Sequence, residues 1–368
     1  MPPKPIAHES VHRRMIAPDL PQPIVPQPIT QALTNCCGII SIRKLASGLS
    51  GATVAECRAT DGQRYALKRW PDSFSRNRIE SIHRVILHAR AQGCDIIAFP
   101  VTFPPLANES QSDSSTTVLS ANGEHWELSH WRPGEPLTTT ANLDTIRRGA
   151  EAISRFHACT ASLESIHQSP PIIEERLRAL AWHRMHFPIP AQSIPQMAQP
   201  SNLSAALRDA ANLLHWKWDE ACTQIHRSLT KHSACKHATQ YVLRDVHAEH
   251  LLFSEGEPTG LIDFDAVRVD TPAADLARWA GSFLAGQHAA EDVWDAVMAG
   301  YCENMEQSKR TTGPPMVKLA TDLCFAGIWL SLANWLVWLA VERREFKAPP
   351  EKLTERIYNL IHAATPRC

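Results

Sequence analysis

The sequence predicts an α+β fold of two lobes: a small antiparallel sheet carrying one helix, then a large and mostly helical lobe. Three observations carry this. Strand-like alternation and hairpin signals fill residues 39–70. Helical spacing dominates after Pro133-Gly134. One short β insert, between Tyr241 and Ile262, interrupts the helices. At 368 residues the chain is long enough for two units of ~100–200 residues.

Residues 1–35 are expected to be a Pro-rich, disordered tail; the first 30 contain eight prolines and no apolar period. The first lobe then spans 36–130. Ser47-Gly48-Leu49-Ser50-Gly51 and Asp61-Gly62 mark two turns, hence three antiparallel strands. Apolar residues at 79, 82, 85, 86 and 89 have the spacing of one helix face, and Gly93 suits its end. Further strands are expected near 97–103 and 116–130. The second lobe, 131–368, has helical patterns at 143–160, 172–184, 202–230, 273–286, 289–308, 316–343 and 351–364.

Composition narrows the function. With 37 Lys+Arg against 38 Asp+Glu, no bulk positive charge is available to grip a nucleic acid. Ten cysteines without a CxxC pair argue for reduced thiols rather than a disulfide scaffold, and residues 1–30 lack the apolar core of a signal peptide. A cytoplasmic protein is expected. The 19 uncharged residues 323–341 reach membrane-spanning length, but Ser331, Asn334 and three tryptophans favour a helix buried on all sides. His183 and His186 stand three apart on a helix, yet no carboxylate or Cys pattern completes a metal site around them.

The chemistry concentrates in the β insert. Asp245 and Asp263 each follow a short apolar strand, with a hairpin at Glu255-Gly256-Glu257 between them. Carboxylates at adjacent strand ends can face one site. One can orient a hydroxyl and accept its proton, and the other can hold Mg²⁺ against phosphate oxygens. Asp265 and Asp270 are read as local loop acceptors, with contact to a cationic substrate as the alternative.

Leu243-Arg244-Asp245-Val246-His247-Ala248-Glu249-His250, followed by Ile262-Asp263-Phe264-Asp265 and Asp275-Leu276-Ala277-Arg278, resembles the aminoglycoside phosphotransferase family, which has the protein-kinase-like fold. The resemblance covers roughly residues 40–280. It implies ATP and Mg²⁺ as cofactors and a small-molecule hydroxyl as acceptor, with Asp245 catalytic and Asp263 on the metal. It implies that Gly48 and Gly51 cover the phosphates and that Lys68 pairs with them, held by Glu80. It makes 126–134, including Ser129 and Trp131, a hinge for adenine, and gives Asp275 the task of bracing the catalytic loop through backbone N–H bonds. Arg155-Phe156-His157 resembles the helix that ends before that loop.

Two departures stand out. His250 replaces the family's metal-binding Asn, and Leu243-Arg244 replaces its His-Gly. Imidazole suits Mg²⁺ poorly. His250 is therefore a brace beside a metal held by Asp263 alone, a ligand favouring Mn²⁺, or the mark of a nucleotide-binding protein that no longer transfers phosphate. The acceptor itself is not legible, and no acidic cluster suited to a cationic one is evident.

Overall fold

The structure is a computed structural model that describes residues 25–45, 52–104, 115–186, 201–303, 314–346 and 348–365. The first lobe is a five-stranded antiparallel sheet: β1 (Ile39–Lys44), β2 (Thr53–Ala59), β3 (Arg64–Arg69), β4 (Leu119–Ala121) and β5 (Glu124–His130), in the order β1-β2-β3-β5-β4. Gly62, at φ 83°, makes the turn between β2 and β3, where Ala59 N–H reaches Gln63 O at 2.9 Å.

The chain enters this lobe through helix α1 (Gln27–Cys37). This corrects the expectation of a disordered tail through residue 35. Pro28 lies in the helix's first turn, where a missing N–H costs nothing, and Ile29, Ala32 and Leu33 bury one face against the sheet. Prolines that read as breakers in the sequence stand here at a helix start. The glycine turn Gly48–Gly51 lies outside the described residues. The strand expected at 97–103 is instead three isolated bridges, from Ile97 to Leu261, Pro100 to Ser129 and Phe103 to Thr116. Proline at 100 and 104 removes the donors a continuous ladder needs.

Helix α2 (Arg76–Ala91) packs as its spacing predicts, with Ile79, Ile82, Val85, Ile86 and Ala89 buried, and Gly93 follows its end at φ 95°. The second lobe holds α3 (Leu143–Thr160), α4 (Pro171–His186), α5 (Ser201–Ser233), α6 (Ala273–Gly281), α7 (Ala290–Glu303), α8 (Pro314–Leu336) and α9 (Pro350–Ala364). Helix α6 stops at Gly281, five residues short of the expected 286. On its inner side Trp279 lies against Gly149 of α3: a Cβ there would stand 2.0 Å from the indole.

The segment 323–341 completes α8 and ends in a π-turn at Val337–Val341. The stretch Pro315–Val341 is long and apolar enough to cross a membrane, but 67% of its apolar window is buried inside the protein, as a central core helix requires. It packs on α4, α5, α6 and α9.

The insert forms two small sheets. One is β10 (Glu257–Leu261), β9 (Leu251–Ser254) and β6 (Glu135–Pro136); the other is β11 (Arg268–Asp270), β8 (His237–Val242) and β7 (Ser165–Gln168). Their connections, 243–250 and 262–267, carry the chemistry. Backbone bonds join the lobes beside them: Leu261 N–H donates to Ile96 O at 2.8 Å, and Ala98 N–H to Leu261 O at 2.9 Å. Arg132, in the linker, donates from Nε to Ile97 O at 2.8 Å.

Candidate active site

The catalytic loop leaves β8 at Val242 and bends at Arg244, whose φ is 69°. A non-glycine residue in that region costs ~1–2 kcal/mol, so the surroundings must impose it. Asp275, fully buried in the first turn of α6, accepts from Leu243 N–H at 2.7 Å and Arg244 N–H at 2.6 Å. This is the brace implied by the resemblance. His157 Nε2 also donates to Asp275, at 2.8 Å, and its Nδ1 bonds the Tyr301 hydroxyl at 2.9 Å. A carboxylate only accepts, so the proton sits on Nε2.

The Arg244 side chain pairs with Asp270 at 2.6 Å and with Glu175. Asp270 is fully buried and also accepts from Ile172 N–H and Thr271 N–H. It is a support for the loop, not a substrate contact.

These bonds present Asp245, half exposed, to a cavity of about 770 Å³ that His247, His250 and Asp263 also line. Its Oδ1 takes the guanidinium of Arg278. His250 lies behind, donating from Nδ1 to Asp245 O at 2.8 Å. A carbonyl only accepts, which puts the proton on Nδ1 and turns Nε2 toward Asp263 Oδ2, 3.5 Å away. His247 lies tilted against His250 with ring centroids 3.8 Å apart; burial and the adjacent His250 and Arg278 push its pKa down.

Asp263 is likewise left-handed, at φ 62°. Its Oδ1 lies 3.2 Å from Lys68 Nζ, which also bonds Asp265. Burial opposes the Lys68 charge, but Asp263, Asp265 and then Glu127 outweigh it and raise its pKa. Two half-buried carboxylates share one ammonium, so their affinities for protons separate. Burial is overcome by Lys68 and His250 at Asp263, held down at about 2. At Asp265 burial and the Asp263 charge prevail, pushing it up to about 6.

The expected pairing of Lys68 with Glu80 is not made. Glu80 instead accepts from Arg76 one turn earlier on α2, at 2.9 Å. Within the first lobe the acidic neighbour of Lys68 is Glu127, directly opposite it in the β3–β5 register. Glu127 accepts from His83 Nε2 at 2.8 Å, Trp70 Nε1 at 2.8 Å and Ser129 Oγ at 2.9 Å. Burial would raise its pKa, but His83, Lys68 and Ser129 hold it low. The helix thus reaches the lysine through His83 and a strand carboxylate. Strand alternation does place Glu127 near Lys68, but only the register shows that the two are opposite.

Ser129 sits within β5 opposite Ala66, its hydroxyl spent on Glu127. Trp131 N–H donates to Arg64 O at 3.2 Å, and the Arg64 guanidinium lies 4.1 Å over its ring. His183 bonds Asn334 Oδ1 at 2.9 Å, within the helical core.

The phosphotransferase enzyme family model matches residues 41–310. Among solved structures, the chain is similar to an amicoumacin kinase in complex with AMP-PNP, Ca²⁺ and Ami (14% identity, covering 93% of this chain and 95% of that one, TM-score 0.59). It is also similar to a spectinomycin phosphotransferase in complex with ADP and spectinomycin (13%, 93% and 98%, 0.59). A third is an aminoglycoside phosphotransferase from Alicyclobacillus acidocaldarius (15%, 93% and 93%, 0.55). At these identities the likeness carries the fold, which is the kinase-like two-lobed architecture expected from the sequence. None of the curated proteins matches the sequence significantly. The family match spans the cleft and both carboxylate loops, and this chain belongs to the phosphotransferase enzyme family.

Proposed function

We propose that the protein transfers the γ-phosphoryl group of ATP to a hydroxyl of a small molecule. The observation that carries this reading is the convergence of Asp245 and Asp263, from two loops of the second lobe, with Lys68, from the first lobe, at one cleft.

The donor set fits a divalent ion held largely by phosphates. Among the described residues no group of three or more His, Cys, Asp or Glu side chains could hold a metal alone. Mg²⁺ beside a nucleotide needs only one or two carboxylates. Asp263 supplies a hard oxygen, and the Nε2 of His250 faces the same space. The ion would draw charge from the phosphate oxygens. The nitrogen donor makes Mn²⁺ at least as suitable as Mg²⁺.

Lys68 leaves its carboxylates for the phosphates and offsets their charge. Asp245 accepts the proton of the acceptor hydroxyl as its oxygen bonds the γ-phosphorus and the bond to the β-phosphate oxygen breaks, releasing ADP. Asp275 and Asp270 keep Asp245 at the end of its strand. In such a reaction position and charge supply most of the acceleration.

Thermal unfolding with ATP and either Mg²⁺ or Mn²⁺ tests the reading. Nucleotide at ~100 times its dissociation constant adds ~2.7 kcal/mol, and Asp263→Ala should lose that gain. A wild-type chain indifferent to ATP with both metals would rule the reading out. A second reading, nucleotide binding without transfer, is favoured by the Arg278 guanidinium on Asp245 and by His250 in place of Asn. It predicts the same stabilisation with no ADP formed from any acceptor.

A further inference from the structure

The charges around the cavity carry information about the acceptor. This step rests on the phosphotransfer reading and concerns the same site. The cavity is walled by α4, α6, α8 and α9, and its volume lies within the ~300–1,000 Å³ of small-molecule sites. Most of its charged groups are matched. Glu249 pairs with Lys352 at 2.9 Å, Arg344 with Glu342, Asp263 with Lys68, and Asp245 with Arg278. Glu355 stands exposed at the rim.

Arg176 of α4 and Arg356 of α9 are different. Both are half-buried in the cavity wall, and among the described residues neither has an ion pair or hydrogen bond. Each feels Arg278 as a like charge. Burial and then that guanidinium pull Arg176 down to about 10, and the same two causes lower Arg356. The Arg176 guanidinium lies against Gly327 of α8, where a Cβ would stand 3.4 Å from its Nη2. Asp245 and Glu175 act the other way on Arg176, as do Glu249 and Asp245 on Arg356, but these carboxylates are already paired with Arg278, Arg244 and Lys352. Three guanidinium groups therefore gather near the proposed base, and only Arg278 has a carboxylate bonded to it. Such an arrangement is costly unless an anion completes it. The planar forks match carboxylate and phosphate oxygens in pairs. Ile328, Trp335, Trp338 and Leu360 supply apolar lining to the same cavity.

We propose that the acceptor is a hydroxylated small molecule bearing a carboxylate or phosphate group, which Arg176, Arg278 and Arg356 hold beside Asp245. A polycationic acceptor would meet like charge there.

The test uses the full chain loaded with a non-hydrolysable ATP analogue and Mn²⁺, followed by thermal unfolding. Glycerate presents a carboxylate and hydroxyls, glycerol 3-phosphate a phosphate and hydroxyls, and spectinomycin and choline are the cationic arms. The expected result is a further rise in midpoint with glycerate or glycerol 3-phosphate, and which of the two acts identifies the anion. Arg176→Gln and Arg356→Gln should each weaken that anion's binding tenfold or more and leave the nucleotide's own shift unchanged. Arg356→Lys, which keeps the charge and loses the fork, should fall between. A nucleotide shift with no response to either anion overturns the proposal, and so does preferential stabilisation by spectinomycin or choline. Absence of the nucleotide shift itself overturns the underlying phosphotransfer reading instead.

Discussion

The two loops that meet at the cleft are held by opposite strategies. The 243–250 loop, which carries the proposed base, is fixed from behind, inside its own lobe: Asp275 grips two of its N–H groups, His157 bonds Asp275 and is itself held by Tyr301, and Arg244 is anchored on Asp270. The 262–267 loop has one such bond at its root, from Ile262 N–H to His250 O at 3.0 Å, and is otherwise held from in front, by Lys68 of the other lobe. Each loop contains one left-handed non-glycine residue, Arg244 or Asp263, so each carries backbone strain that something must oppose. Buried bonds do this permanently in one case. In the other, an ion pair across the cleft does much of it, and a nucleotide bound as proposed would take that lysine away. The position of Asp245 is therefore a property of the second lobe, and that of Asp263 depends in part on the cleft.

Removing the brace should have the largest effect. In Asp275→Ala, two backbone donors and the His157 donor lose their acceptor at ~1–3 kcal/mol each, so denaturant unfolding should show a loss of about 3 kcal/mol or more, and turnover should disappear. A mild loss of stability would mean that the loop holds its own shape. Next comes Lys68→Met. The catalytic loop should keep its stability, nucleotide affinity should fall about 10–100-fold, and the Asp263–Asp265 repulsion left behind should cost about 1–3 kcal/mol. Hydrogen exchange should rise in 262–267 and stay unchanged in 243–250. Equal loosening of both loops would erase the distinction between them. The smallest effect belongs to Glu80→Ala. It breaks a half-exposed i,i+4 pair with Arg76, worth about 0.5 kcal/mol or less, and should leave nucleotide affinity unchanged.

The same contrast explains what could be read from the chain alone. Asp245, Asp263 and Asp275 lie in short segments whose spacing belongs to local strand–loop–helix geometry, and Lys68 stands in a strand with a clear hairpin beside it. Helices such as Leu143–Thr160 and Ser201–Ser233 show their period directly. Helix spacing offers Glu80 as a plausible partner of Lys68, whereas the bonds of Lys68 go to Asp263 and Asp265 of the other lobe, and its carboxylate neighbour within the sheet is set by register between β3 and β5. The helix at Gln27–Cys37 was hidden by its prolines. Arg176, Arg278 and Arg356 come from three helices far apart in sequence, and nothing in any one helix announces that they converge. Local chemistry is legible at once, while chemistry assembled by packing is not.

The packing has a further use, because it hides sulfur. Cys57 and Cys94 are buried in the first lobe, and Cys222 and Cys324 in the second, all as free thiols. Burial pushes Cys57, Cys94 and Cys324 up to about 12 and Cys222 up to about 11, which leaves almost no thiolate to react. Cys36, Cys235 and Cys302, by contrast, are exposed. An alkylating reagent therefore meets a fast class of sites and a slow class, and the slow class reacts only when the surrounding lobe opens. Cys57 lies in the first lobe's own core cluster, whereas Cys94 shares the larger cluster with Cys222 and Cys324. Peptide by peptide, the rate at Cys57 would time the opening of the first sheet separately from that of the larger core, without any label having to be introduced.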